Sequence, residues 1–443
     1  MSRLTMETRL RIFNATKETI YHYFSPALSC KNRSLYRRNG ERFTHMASGI
    51  MTMKEVNSTL HKWMGTRIGW YPQSRDRTHL LKFLPKSQEE LPPRSIKDSF
   101  AEAIIPLSSE PRLQNRYVTA IGKLRMGRVI EDMDFFSVFV ALKYIKNPLQ
   151  KEDSPTPYTI VTAAVDDIEY IFEKPDVTSD VKLSGKVVSV GKSSLSIIVT
   201  LSYKMNDKWS QMTKANFLMA ARNSTLTEPA FVNRLEPSSP EEEMEIKDAL
   251  EQKMKRSERY KSSLMVFPPS VEEQKIIHEN FVKSVDLDDP TINKRILPPG
   301  FVWTEDTRLN TCIFPHPENR NHHNTVFGGY LMRLALELAW MTAFTHSGQR
   351  PSLRYVSNIT FKKPVKLNSF LKIMSQVIYT FEYYMQIAVY IELYDMSSNK
   401  VLTTNSFHFT YEANEPVKPV MPKTYHENIL YLLGRRHMAN FKR

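Results

Sequence analysis

The 443-residue sequence predicts an α+β fold built twice in tandem, each copy a long central helix wrapped by an antiparallel sheet. Three observations predict it. From Gly328 to Trp340 the chain reads as one helix, because Leu331, Leu334, Ala335, Leu338 and Ala339 recur at three- and four-residue spacing and give it one buried face. The stretch that follows is rich in Val, Ile, Tyr, Phe and Thr. It is broken at Lys363-Pro364, Leu367-Asn368-Ser369 and Ser397-Ser398-Asn399, which read as turns between strands. The same order occurs upstream, where LRMGRVIEDMDFFSVFVALKYI precedes the strand-rich run that begins TIVTAAVDDIEY. Within that run Asp167-Ile168-Glu169-Tyr170 and Lys174-Pro175 take the places of Asn358-Ile359-Thr360-Phe361 and Lys363-Pro364.

The elements are expected in this order. Residues 1–50 hold nine Lys or Arg against Glu7, Glu18 and Glu41, a large part of the net +14, with Leu4, Ile12, Phe13, Ile20, Tyr21 and Phe24 interspersed. This basic leader reads as a mitochondrial transit peptide, although its acidic residues are atypical of one. Residues 51–92 are expected to be a connector, 93–235 the first unit and 296–412 the second. Between the units, 236–295 is a charged, partly helical linker in which Pro268-Pro269-Ser270 should start a helix. The tail, 413–443, passes from prolines into a short apolar run able to dock on the core. No run of 18 apolar residues is present, so no membrane-spanning helix is expected. The two cysteines, Cys30 and Cys312, are too few for a disulfide framework and suggest a reducing compartment.

Chemistry is expected first at Val326-Phe327-Gly328-Gly329. Two glycines at a helix start let the backbone approach a ligand closely. The free N–H groups and the helix dipole there favour an oxygen that develops negative charge, so this turn could polarise a carbonyl. A packing role for the same glycines is the ordinary alternative. The chain has no G-x-S-x-G elbow, no phosphate loop and no dinucleotide fingerprint. His316, His322 and His323 lack H-E-x-x-H spacing and a Cys pair, so no metal and no cofactor are expected.

The segments GRVIEDMD, TIVTAAVDDIEY, LSGKVVSVGKSSL, PAFVNRL, RILPPGFVWTEDTRL, HPENRN, NTVFGGYLMRLALELAW, TTNSFHFTY and PKTYHENILYL run from about Pro93 to Tyr431. In this order and spacing the sequence resembles the tandem hotdog acyl-coenzyme A thioesterases. The resemblance implies two tandem hotdog domains and hydrolysis of acyl-CoA to a free fatty acid and coenzyme A. It also implies an active site between the helices of two hotdogs, with an Asp from one and an Asn from the other. Residue by residue these are Asp134 and Asn321. Superposing Met126-Gly127 on Gly328-Gly329, an offset of 202 positions (328 − 126), puts Leu336 at the place of Asp134 and Thr119 at that of Asn321. One live site per chain and one dead mirror site are therefore expected.

The residue types suggest the roles. An ionised Asp134 only accepts hydrogen bonds, so it could orient a water and take its proton; an anhydride through the same carboxylate is the other route. Asn321 could fix that water or hold the carbonyl, and an N–H of Gly328 or Gly329 could take the oxyanion. Coenzyme A calls for cations and small polar groups, for which Lys192, Ser193, Ser194, Arg222, Lys362 and Lys363 are the candidates. Further assembly into a homo-oligomer, as a trimer, and residence in the mitochondrial matrix are also implied by the resemblance. Two other functions compete: a hotdog that binds acyl-CoA without turnover, and a nucleic-acid-binding protein suggested by the pI of about 9.4. Against the second, the basic residues concentrate in the leader, and no specific nucleic acid is expected as a partner.

Overall fold

The computed structural model describes residues 50–443 apart from 67–75, 152, 171–175, 262, 287, 289–293, 320–324, 358, 362–364, 366–368 and 442–443. The leader, Asn321, Lys362, Lys363, Lys174-Pro175 and two of the expected turns, at Lys363-Pro364 and Leu367-Asn368, lie outside the described residues. Residues 49–443 form one compact unit.

In chain order the first half holds β1 (Met51–Thr52), α1 (Met53–Met64), α2 (Ile96–Ser99), β2 (Ala101–Ile105), α3 (Pro111–Tyr117), α4 (Met126–Tyr144), β3 (Tyr158–Val165), β4 (Ile168–Glu169), β5 (Val181–Val190), β6 (Ser194–Met205) and β7 (Lys208–Asn223). The linker carries α5 (Pro240–Lys261) and α6 (Val271–Lys283). The second half holds β8 (Val302–Trp303), β9 (Leu309–Ile313), α7 (Gly328–Ser347), β10 (Ser352–Val356), β11 (Ile359–Thr360), β12 (Ser369–Phe381), β13 (Tyr384–Asp395), β14 (Lys400–Glu412), β15 (Val420–Met421) and α8 (Tyr425–Phe441). The hotdog pattern of one long helix against an antiparallel sheet thus appears twice.

The central helices form because their apolar residues keep helical spacing. On α4, Val129, Met133, Phe136, Val140 and Tyr144 follow one another at three or four residues and are all fully buried. Gly348 ends α7 in the left-handed conformation, at φ 66°, with its N–H on the Phe344 carbonyl. The helices begin at Met126 and Gly328, the positions superposed by the 202-residue offset.

The two sheets are linked by a reciprocal exchange. The seven-stranded sheet runs β1-β2-β5-β6-β7-β3-β11 and the six-stranded one β4-β10-β14-β13-β12-β9, so each half lends its short strand to the other. Ile168 and Glu169 pair with Val356 and Tyr355, while Ile359 and Thr360 pair with Val165 and Ala164. Beyond these pairs Tyr170 N–H donates to Arg354 O at 3.0 Å, and Phe361 N–H donates to Ala163 O at 2.9 Å. The buried hydrophobic cluster is continuous through both halves. The two hotdogs therefore share a core and cannot separate without exposing it.

Residues 51–92, expected as a connector, include part of the first hotdog. Thr52 and Glu55 form a capping box at the start of α1, Gly65 closes it at φ 64°, and Val56 and Leu60 are fully buried. Trp63 stacks on Phe139 of α4 with ring centroids 5.1 Å apart. In the linker, Ser270 caps α6 together with Glu273. Glu273 in turn pairs with Arg436 of α8 at 2.7 Å, and Asn280 donates to Asn428 at 3.0 Å. Leu60→Ala should therefore destabilise the folded chain by about 2–5 kcal/mol, read from the urea midpoint at unchanged slope; a change below about 0.5 kcal/mol would mean that α1 is an appendage.

Candidate active site

The central helices, Met126–Tyr144 and Gly328–Ser347, meet near their starts, where Gly127 faces Arg333 and Gly329 faces Glu131. Asp134, on the second turn and a half of α4, is 1 % exposed. One carboxylate oxygen, Oδ2, accepts the Gly329 N–H at 2.7 Å, and the other, Oδ1, accepts the Thr162 hydroxyl of β3 at 2.6 Å. Burial raises the Asp134 carboxyl to about 6; the Thr162 and Gly329 hydrogen bonds act against that rise and the Glu131 charge adds to it. A carboxylate with its pKa near neutrality and both oxygens held by donors is suited to taking a proton.

The acidic cluster around Asp134 is sorted by its contacts. Glu131 accepts from Arg128 at 2.7 Å and lies 2.8 Å from Arg333. Asp132 accepts the buried Tyr117 hydroxyl at 2.5 Å, and burial pushes its carboxyl up to about 7. Asp134 alone of the three accepts from the second hotdog's helix start. The crossing there is tight enough to require glycine. A Cβ on Gly329 would lie 2.9 Å from Glu131 Cα and 3.0 Å from Asp134 Cβ; one on Gly328 would lie 3.2 Å from the Phe361 ring and 3.5 Å from Asp134 Oδ2. Phe327 meets Phe135 edge to face at 5.7 Å, so apolar rings flank the carboxylate.

The opposite side of the crossing has the same geometry with different residues. The offset carries Gly329 to Gly127, and a Cβ on Gly127 would lie 3.0 Å from the Arg333 side chain and 3.4 Å from Glu337. Asp134 is replaced by Leu336. Phe327 and Phe135 are replaced by Arg125 and Glu337, which form an ion pair at 2.7 Å. The strand offset is 191 positions, from Ile168 to Ile359, and it replaces Thr162 by Leu353. One side therefore holds a carboxylate, its hydroxyl partner and an aromatic pair. The other holds two leucines and a salt bridge.

Of the residues expected in the site, Asp134, Gly328 and Gly329 are brought together. Asn321 is outside the described residues. Lys192 and Ser193 lie in the turn between β5 and β6 and Ser194 begins β6; the Lys192 carbonyl accepts from Val232 N–H and the Ser193 carbonyl from Ala221 N–H. Arg222 donates through Nη2 to the carbonyls of Leu226 and Thr227, at 3.1 and 3.3 Å, which ties that nitrogen to its own loop. Thr162 was not among the expected residues. Its signal is a polar residue in the first repeat against Leu353 in the second, the contrast that singles out Asp134 from Leu336.

Residues 323–395 match the Thioesterase superfamily. Human mitochondrial acyl-coenzyme A thioesterase 9 is 39% identical over 392 residues, which cover 88% of this chain and 89% of the human protein. The chain belongs to the acyl-coenzyme A thioesterase family. Mouse mitochondrial acyl-coenzyme A thioesterase 10 is 38% identical over 391 residues, 87% of this chain and 88% of the relative. Among solved structures, an acyl-CoA hydrolase of Staphylococcus aureus in complex with butyryl coenzyme A, coenzyme A and coenzyme A disulfide is 25% identical, covering 32% of this chain and 90% of its own, with a TM-score of 0.31. An oleoyl thioesterase of Lactobacillus plantarum, named as putative, is 8% identical, covering 71% and 96%, with a TM-score of 0.42.

In this thioesterase the pKa of Asp134 has a consequence for stability. Its folded value, about 6, is above the unfolded carboxylate value. The stability it contributes is full below the unfolded value of about 3.9 and is lost as pH rises through the folded one. Between about pH 4 and about pH 7.5, Asp134→Asn should gain about 2–3 kcal/mol relative to the parent in urea unfolding. A difference that does not vary with pH would contradict a buried, shifted Asp134.

Proposed function

We propose that the chain hydrolyses acyl-CoA to a free carboxylic acid and coenzyme A at one composite site, with Asp134 as general base. The observation that carries this reading is the buried carboxylate of the first hotdog 2.7 Å from the N–H at the helix start of the second. The Thr162 hydroxyl and the Gly329 N–H fix the two carboxylate oxygens and point the remaining lone pairs at the reaction space. A water held by Asp134 attacks the thioester carbon while Asp134 takes its proton. Because Gly329 N–H is committed to Asp134, the oxyanion falls to the Gly328 N–H and the first turn of α7. Collapse of the tetrahedral intermediate breaks the C–S bond, and the proton on Asp134 passes to the departing sulfur. An anhydride through the same carboxylate is the other route; because each oxygen already accepts a hydrogen bond, which lowers its nucleophilicity, direct hydrolysis is the route we propose.

Asn321, seven residues before Gly328, is the side chain we assign to hold the water or the thioester carbonyl. Lys192, Ser193, Ser194, Arg222, Lys362 and Lys363 remain our candidates for the coenzyme A side. The named mammalian relatives are mitochondrial. We assign this chain to the matrix, with residues 1–50 as its transit peptide, and infer a homo-oligomer in the form of a trimer of tandem chains. No helix among the described residues is long and apolar enough to cross a membrane.

The test is release of free thiol from short, medium, long and branched acyl-CoA substrates. Asp134→Asn should lower kcat by about 10²–10⁴ with a smaller effect on KM, and Asn321→Ala by at least about tenfold. Hydrolysis unchanged in Asp134→Asn, or no turnover of any acyl-CoA by the parent, would overturn this reading.

A further inference from the structure

Glu131 of α4 and Arg333 of α7 are each other's equivalents under the 202-residue offset, so they lie on the pseudo-twofold axis between the hotdogs. In a dimer of identical units this position would face its own copy and bring like charges together. Only a pair of diverged copies can hold Glu opposite Arg. Arg333 Nε lies 2.8 Å from Glu131 Oε2, both side chains being 16 % exposed. Arg128 Nη1 donates to that same oxygen at 2.7 Å, and the Arg333 guanidinium also lies 5.0 Å from the centre of the Tyr330 ring. The backbone of Glu131 is the one that a Cβ on Gly329 would strike. The ion pair therefore joins the helices at the turn that delivers Gly329 N–H to Asp134.

We propose that Arg333 is a positioning residue for the thioester site: paired with Glu131, it fixes the helix crossing beside Asp134 and cancels a carboxylate charge one helical turn away. This rests on the reading of Asp134 as the base. The charged and titratable groups around Asp134 can be named element by element. Arg128, Glu131 and Asp132 lie on α4, with Asp132 held by Tyr117 of α3, and Arg116 stands on α3 itself. Arg333 and Glu337 lie on α7, Glu337 paired with Arg125 at the head of α4. The packed strand β3 presents the neutral Thr162, and the Phe361 ring covers Gly328. Glu131 is the negative group whose field acts on Asp134, and Arg333 is its partner from the other hotdog.

The pH dependence of kcat/KM separates this role from plain packing. In Arg333→Gln, Glu131 keeps Arg128 as partner but loses Arg333, and its less fully cancelled charge should move the acid limb up by at most about one pH unit, a loss of up to about tenfold on that limb, while the alkaline plateau stays within about threefold. Glu131→Gln should move the limb down, and the double variant Glu131→Gln/Arg333→Gln should return it to the parental position or below. An equal loss at every pH with an unmoved limb would overturn the proposal. If Arg333→Gln fails to fold, the isosteric Glu131→Gln decides: a limb that stays or moves up overturns it. Asp134→Asn is run in parallel. Should that variant keep its activity, the base reading fails; should it be inactive while the other limbs do not move, only the Arg333 proposal fails.

Discussion

The hydrogen bond from Gly329 N–H to Asp134 is the constraint on which the rest of this molecule depends. It joins a carboxylate of one hotdog to the helix start of the other across 195 residues of chain, and it is buried. A buried carboxylate without donors would be strongly disfavoured in its charged form. The ionised form is held by donors from both hotdogs, the Thr162 hydroxyl of the first and the Gly329 N–H at the helix start of the second. The glycines at 328 and 329 follow from the same requirement, because a side chain on either would press into Phe361, Glu131 or Asp134. So do the exchanged strands β4 and β11, which lock the two halves in the register that makes the crossing.

Duplication explains the asymmetry. Two equal copies would carry two equal sites, but here Gly127 and Gly329 are kept while the residues around them have diverged in a paired way. Asp134 and Thr162 face the glycine turn on one side; Leu336 and Leu353 take their places on the other. An aromatic pair on one side answers to the Arg125–Glu337 ion pair on the other. Leucines stand where the carboxylate and hydroxyl would be, and the Arg125–Glu337 ion pair fills that side with groups that satisfy each other. The second hotdog also carries α8 and β15, and α8 is held through Arg436 and Asn428 to the linker helix α6.

Much of this was legible in the sequence. The helical spacing of Val129, Met133, Phe136 and Val140, and of Leu331 to Ala339, marks both central helices, and the 202-residue offset reveals that Asp134 has no partner carboxylate in the second copy. Thr162 lies beyond the reach of the 202-residue helix offset that sets Asp134 against Leu336; it follows the 191-residue strand offset, which sets it against Leu353. The signal for α1 was also present, in Thr52 with Glu55 and in Val56, Leu60 and Met64, yet a short amphipathic helix before a domain is easily read as a connector. Two facts were out of reach. That Gly329 N–H is donated to the Asp134 carboxylate depends on how two helices pack. That Arg222 binds its own loop depends on a tight turn after β7. Neither geometry is written in local spacing.

The central claim is that one composite site, with parts from both hotdogs, performs the chemistry. A crystal structure of the chain with a nonhydrolysable acyl-CoA analogue tests it most directly. The account predicts one ligand per chain, its carbonyl oxygen within hydrogen-bond reach of Gly328 N–H and its carbonyl carbon facing Asp134. A ligand bound instead on the Gly127–Leu336 side, or equally on both sides, would contradict it.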